Sequence, residues 1–150
     1  MVIEEEVVIE APPPIVWAVL TGVDDWKEWN GVCGGARCLT PSGVAEGACI
    51  SFILRPFLGV PIRISPEVVQ CAPGREIIWK GSRLGVHAEH RFTLLETPEG
   101  SRLVSSEAFH GLVSSLSRLI FLPSRLHRLT ERLLADVKRE SEARVRENRF

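Results

Sequence analysis

The sequence predicts an α+β protein in which a strongly bent antiparallel sheet wraps around one long helix. Short extended segments, divided by Gly and Pro, fill most of residues 36–110, whereas the remainder to residue 150 has helical periodicity. Strands joined by tight turns pair in antiparallel fashion. A chain of 150 residues is the size of one ordinary domain, so we expect a single domain over 1–150.

The first strand and two short helices are predicted in the N-terminal part of the chain. Val2–Glu10 places β-branched residues around acidic ones, which is typical of a strand. Pro12–Pro14 ends it, because proline cannot continue a ladder but suits the first turn of a helix, here Ile15–Leu20. Asp24 is predicted to cap a second short helix over Asp25–Trp29.

Six further strands complete a predicted seven-stranded sheet. In one of them Ile50, Phe52 and Leu54 alternate with more polar residues, which is the period of a strand with one apolar face. The six strands are predicted over Ala36–Thr40, Gly47–Arg55, Pro61–Cys71, Glu76–Ser82, Gly85–Glu96 and Ser101–His110.

The long helix is predicted from an apolar stripe near the C-terminus. Its members recur at spacings of 4, 3, 4 and 4 and are Leu122, Leu126, Leu129, Leu133 and Val137. The segment before it, Leu112–Leu122, is unusually apolar. Two interpretations of this segment stay open. In the first, it is a lid over the tunnel or a surface that meets a partner or a membrane. In the second, it packs on the rim of the sheet.

Composition excludes several classes of protein. A formal net charge of −1 argues against a nucleic-acid binder, and no apolar run approaches the length of a membrane span. The four cysteines have no C-x-x-C spacing, so we expect reduced thiols and neither a metal nor another cofactor. The acidic N-terminus is unlike a secretory signal, which predicts a cytoplasmic location.

Several segments together resemble a known family. Ala11–Gly22, with Trp26 and Trp29-Asn30, looks like the opening of the polyketide cyclase/dehydrase-like branch of the SRPBCC superfamily, which also holds START lipid-transfer domains. Glu89–Leu94 and Ser106–Leu112 resemble its last two strands, and Leu134–Glu142 resembles its C-terminal helix. The resemblance implies a helix-grip fold with a hydrophobic tunnel between helix and sheet. It implies no particular reaction, since this superfamily shares no catalytic motif.

The alternation of side chains along each strand, and the apolar stripe along the long helix, then give candidates for the tunnel wall. A shift of one residue would exchange the two faces of any strand, so the set depends on register. The candidates are Trp29, Ile50, Phe52, Leu54, Ile64, Trp79, His90, Phe92, Phe109, Leu126, Leu129 and Leu133.

Two of the polar residues on the predicted strands are candidates for acid–base chemistry. His90 shares a face with Phe92, and Glu107 shares one with Phe109. A buried carboxylate must be paired or protonated, and Arg55, Arg63 or His90 are its candidate partners. A Glu–His pair would suit aldol cyclisation or dehydration. The alternative is structural: a hydrogen-bonded core histidine, and a glutamate bonded to the loop near Gly111.

The leading functional prediction is non-covalent binding of a hydrophobic or aromatic small molecule, either a lipid or a polyketide-like compound. One alternative is a cyclase or dehydratase that uses His90 and Glu107. Another is an assembly protein in which Leu112–Leu122 is an interface. Each of these three interpretations is compatible with a homodimer.

Overall fold

The computed structural model describes residues 1–148, so Arg149 and Phe150, the end of the predicted helical region, lie outside the described residues. The helices are α1 (Pro13–Thr21), a 3-10 turn (Val23–Asp25), α2 (Trp26–Trp29), α3 (Ser115–Ile120) and α4 (Pro123–Glu147). The strands are β1 (Val2–Ile9), β2 (Gly34–Cys38), β3 (Ile50–Phe57), β4 (Val60–Ile64), β5 (Glu67–Ala72), β6 (Glu76–Arg83), β7 (Val86–Thr97) and β8 (Gly100–His110).

The strands form two antiparallel sheets, which corrects the predicted count of seven strands in one sheet. A five-stranded sheet has the order β1-β8-β7-β6-β5, and a three-stranded sheet has the order β2-β3-β4. The predicted strand Pro61–Cys71 is divided at Pro66, which has no N–H to continue a ladder. An isolated bridge between Cys49 and Glu67 joins the two sheets at this point.

The helix α1 begins among the prolines as predicted, with Pro12 at its N-cap and Pro13 in its first turn. The prediction that Asp24 caps α2 is wrong. Asp25 occupies the cap position without a side-chain hydrogen bond, while Asp24 Oδ1 accepts a hydrogen bond from the Cys38 amide at 2.8 Å. The carboxylate therefore links the 3-10 turn to β2 instead of capping the start of α2.

The helix α4 confirms the long C-terminal helix and crosses from β1 and α1 toward β3 and β8. On its inner face Leu126, Leu133 and Val137 are buried, and Leu129 is half-buried. None of the helices within residues 1–148 is long and apolar enough to cross a membrane.

The end of β8 closely approaches the turn between β6 and β7. Gly111 has φ of +86°, and a Cβ atom placed there would overlap the carbonyl oxygen of Gly85. A side chain is therefore excluded at this position by backbone conformation and by space. This contact holds the segment between β8 and α3 against the β6–β7 turn.

Candidate functional site

Two adjoining cavities lie between α4 and the concave side of the sheets. Their volumes are about 60 and about 50 Å³. The wall is mainly aromatic and aliphatic. Six residues contribute to both cavities, namely Phe52, Leu54, Trp79, His90, Glu107 and Leu126.

Nine of the twelve predicted wall residues line these cavities: Phe52, Leu54, Ile64, Trp79, His90, Phe109, Leu126, Leu129 and Leu133. The other three lie elsewhere in the described core. Ile50 and Phe92 point inward but are covered by neighbouring side chains and are essentially inaccessible. Trp29 packs edge-on against Trp26, with ring centroids 6.4 Å apart. The alternation of residues along the strands thus predicted which side chains face inward, but not how deeply each one is buried.

Sequence reasoning missed several wall residues, above all Trp26, the first residue of α2, and Cys33, from the irregular segment before β2. The Trp26 indole is buried, and its Nε1 donates to the Leu20 carbonyl at 3.2 Å. Spacing offered a partial signal, because positions three apart on a helix share a face, as Trp26 and Trp29 do. For Cys33, which belongs to no periodic element, the sequence offered none.

His90 and Glu107 meet on the cavity wall because β7 and β8 pair in a register that places them directly opposite each other. His90 Nδ1 lies 3.3 Å from Glu107 Oε2, and the two side chains are 10% and 20% exposed. His90 Nε2 lies 2.7 Å from Ser105 Oγ. Both ring nitrogens therefore have oxygen partners. An ionised carboxylate only accepts hydrogen bonds, so Nδ1 donates to Glu107, and in the neutral ring Nε2 accepts from the serine hydroxyl.

Aromatic rings fix the orientation of the imidazole. His90 stacks on Phe92 with ring centroids 4.1 Å apart, and its edge meets Trp79 at 5.6 Å. Trp79 in turn packs against Trp26 at 6.3 Å. The polar pair is thus held by an apolar cage that keeps one side of the carboxylate open to the cavity.

The other predicted partners of Glu107 are engaged elsewhere. Arg55 donates to the carbonyl of Gly59 at 2.8 Å, and Arg63 donates to Ser51 Oγ at 2.9 Å.

His87 lies on the outer face of β7 beside Ser82 Oγ at 2.5 Å, away from His90. Within residues 1–148 no three His, Cys, Asp or Glu side chains are grouped as a metal site would require.

Cys33 is the most strongly perturbed titratable group described. Burial raises the pKa of its thiol from 9.0 to about 12, with Glu107 and Asp136 adding to the rise and Asn30 opposing it. A thiol in this state is protonated at neutral pH and is a poor nucleophile. It contributes apolar wall rather than covalent chemistry.

Comparison with solved structures shows the same fold over nearly the whole chain. The Zhui aromatase/cyclase from Streptomyces sp. R1128 is 18% identical, with a TM-score of 0.82 and coverage of 97% of this chain and 95% of that one. TTHA0849 from Thermus thermophilus is 14% identical, with a TM-score of 0.80 and coverage of 95% and 98%. The di-domain ARO/CYC StfQ from the steffimycin biosynthetic pathway is 16% identical, with a TM-score of 0.77 and coverage of 96% and 52%, so this chain spans about half of it.

No curated protein sequence matches this chain. The family model described as polyketide cyclase/dehydrase and lipid transport matches residues 1–142. This agrees with the antiparallel sheet, the C-terminal helix and the cavity between them. The chain belongs to the polyketide cyclase/dehydrase and lipid transport family.

Proposed function

We propose that the protein binds a hydrophobic or aromatic small molecule between α4 and the sheets. The observation that carries this proposal is the cavity wall, which is apolar except for a few groups, with His90 and Glu107 at its centre. Buried apolar ligand surface would supply the affinity, and the polar pair would set the orientation of the ligand.

The two cavities are too small to enclose such a ligand without a change in the surrounding side chains. Volumes of about 60 and 50 Å³ are small beside the roughly 300–1,000 Å³ of pockets that enclose drug-sized ligands. Leu54 is half-buried and borders both spaces, so a change of its rotamer would help to join them. We therefore expect binding to merge the two cavities into one.

Tryptophan fluorescence and native mass spectrometry test the proposal, because Trp26 and Trp79 line the cavity. Fatty acids, quinones and polycyclic aromatics are titrated into wild type, Leu54→Phe and Leu95→Phe. The first substitution adds volume inside the cavity, and the second makes the same change on an exposed side chain of β7. We expect Leu54→Phe to weaken binding at least tenfold and Leu95→Phe to leave it unchanged. Absence of binding across the panel, or equal effects of the two variants, would overturn the proposal.

Acid–base catalysis is a second candidate, favoured by the 3.3 Å contact between His90 and Glu107 on the same wall. With a β-hydroxy ketone, the Glu107 carboxylate would take the proton α to the carbonyl. The same carboxyl group, whose open side faces the cavity, would then give that proton to the departing hydroxyl, so that water and an enone form and the carboxylate is restored. His90, held between Glu107 and Ser105, would position the carboxylate and stabilise its charge by donating from Nδ1.

Catalysis is distinguished from binding by variants of the pair. Glu107→Gln should lower the dehydration rate roughly 10²–10⁴-fold, the usual contribution of a positioned acid or base, while ligand binding persists. Glu89→Gln, directly before His90 on β7 and partly exposed, is the matched control. Unchanged turnover in Glu107→Gln and in His90→Gln would exclude these residues as catalysts and leave the binding proposal standing.

A further inference from the structure

Three segments meet at one end of the molecule, here called the leucine end: the β3–β4 turn, the β6–β7 turn and α3. The larger cavity extends to this end, since Pro56, Arg83 and Phe121 all contribute to its wall. The contact of Gly111 with Gly85 holds the segment between β8 and α3 against the β6–β7 turn, and α3 itself contacts β3. The three segments thus form one continuous surface around the cavity.

Apolar side chains protrude from all three segments of the leucine end. Leu58 is 80% exposed at the first turn and Leu84 is 53% exposed at the second. Before and along α3, Val113 is 83% exposed, and Leu116 and Leu119 are also exposed. The segment Leu112–Leu122 is divided: Phe121 packs inward, whereas these three side chains face solvent.

Both turn leucines occupy positions that do not suit them. Each turn is a two-residue hairpin loop, Leu58-Gly59 or Leu84-Gly85, with positive φ at both residues. The leucines have φ of +48° and +55°. Such turns favour Asn-Gly or Asp-Gly, because a branched apolar side chain is strained in the left-handed region. Local structure therefore does not account for leucine at either tip, and a contact made outside the chain would.

Charge is segregated at the same end. Residues 51–66, 77–88 and 108–130, which supply the leucine end and the elements leading into it, contain no Asp or Glu, although the chain has 19 of them. The same segments carry seven basic residues: Arg55, Arg63, Lys80, Arg83, Arg118, Arg125 and Arg128. Of these, Lys80 forms an ion pair with Glu89 of β7 at 3.5 Å. Arg55 binds the carbonyl of Gly59, and Arg118 binds that of Leu112, so two of the cations are anchored directly beside the protruding apolar side chains.

We propose that the leucine end docks on an anionic lipid membrane. The leucine tips would enter the boundary between headgroups and acyl chains, and the arginines would meet lipid phosphates. Separate apolar tips that project from three segments, surrounded by cations, suit a deformable lipid surface better than the flat core of a protein interface. Docking would place the larger cavity against the bilayer. This proposal does not depend on the ligand or reaction proposed above.

Vesicle flotation with the full chain tests the proposal. We expect binding to vesicles of phosphatidylcholine with 30% phosphatidylglycerol, little binding to pure phosphatidylcholine, and at least a tenfold loss between 50 and 500 mM salt, in keeping with screening of the charges. The double variant Leu58→Asn/Leu84→Asn should weaken binding at least tenfold. Since Asn suits both turns, its melting temperature should equal or exceed that of wild type.

The matched control is Leu39→Asn/Leu95→Asn, which removes two exposed leucines outside the leucine end and should leave vesicle binding unchanged. Leu39 directly follows β2, and Leu95 lies near the end of β7 that is remote from the β6–β7 turn. A second variant, Arg83→Glu/Arg118→Glu, should abolish the preference for anionic vesicles. Three results would overturn the proposal: no vesicle binding by wild type, equal loss in the two leucine variants, or a wild-type dimer that Leu58→Asn/Leu84→Asn dissociates. The last result would show that the face joins two copies of this chain.

Discussion

The buried thiol of Cys33 gives a quantitative prediction about stability at alkaline pH. The side chain lies on the wall of the smaller cavity and is almost inaccessible, and its backbone amide donates to Asn30 Oδ1 at 2.9 Å. Burial raises the pKa of this thiol to about 12, whereas an exposed thiol in the unfolded chain ionises near 9.0. At a pH between these two pKa values, the thiol therefore keeps its proton in the folded state and loses it in the unfolded state.

The sign and size of the effect follow from this difference. Below pH 9 the thiol is protonated in both states, so its contribution to stability is fully present. As the pH rises from 9 toward 12, the unfolded state is increasingly favoured, by about tenfold in the unfolding equilibrium for each pH unit. Between pH 8 and pH 10 the expected loss is roughly 1–2 kcal/mol in the free energy of unfolding.

Urea unfolding at pH 8 and pH 10 checks this value. The chain has no tyrosine, so few groups other than lysine and cysteine titrate in this range. Cys33→Ala should lose less stability than wild type between the two pH values, by the amount given above. Cys49→Ala, which removes an exposed thiol, should behave like wild type. Equal losses in wild type and Cys33→Ala would refute the argument that burial disfavours the thiolate.

Two further predictions concern backbone and side-chain contacts. Gly111→Ala should lower stability by about 2 kcal/mol or more in a thermal melt, because the new Cβ meets the Gly85 carbonyl. Gly43→Ala should lose less, since Gly43 has positive φ but open space around it. Ser105→Ala removes the partner of His90 Nε2 from a buried position and should destabilise the protein by roughly 1–3 kcal/mol in urea unfolding, whereas Ser82→Ala, on an exposed serine, should have little effect.

The fold was largely predictable because its main signals are local and periodic. Alternation in β7 and β8 fixed which side chains face inward, and the antiparallel pairing then brought His90 opposite Glu107. The apolar stripe of α4 similarly identified Leu126 and Leu133 as inward-facing. In each case a repeat of 2 or 3.6 residues predicts which side chains face inward, and this prediction is unaffected by small errors in the element boundaries.

The errors arise where a residue's role depends on a distant segment. Asp24 is a plausible cap by local rules, yet its carboxylate binds the amide of Cys38, fourteen residues later. Pro66 divides a predicted strand because the two halves pair with different neighbours, β3 and β6. Cys33 reaches the cavity from an irregular segment with no period. The proline itself is a local signal for a break in the strand. The partner of Asp24, the separate pairing of β4 and β5, and the cavity position of Cys33 all depend on distant segments.

The position of Glu107 constrains the chemistry of the proposed ligand. Its carboxylate borders both cavities, so a ligand that merges them must lie against it. A pure hydrocarbon would strip water from the open side of this carboxylate and offer no hydrogen bond in return, which is unfavourable for a buried charged group. A hydroxyl or enol near the middle of the ligand would restore that hydrogen bond while the apolar body fills the spaces on either side. We therefore expect a functionalised ring system to bind more tightly than an unsubstituted one of the same size.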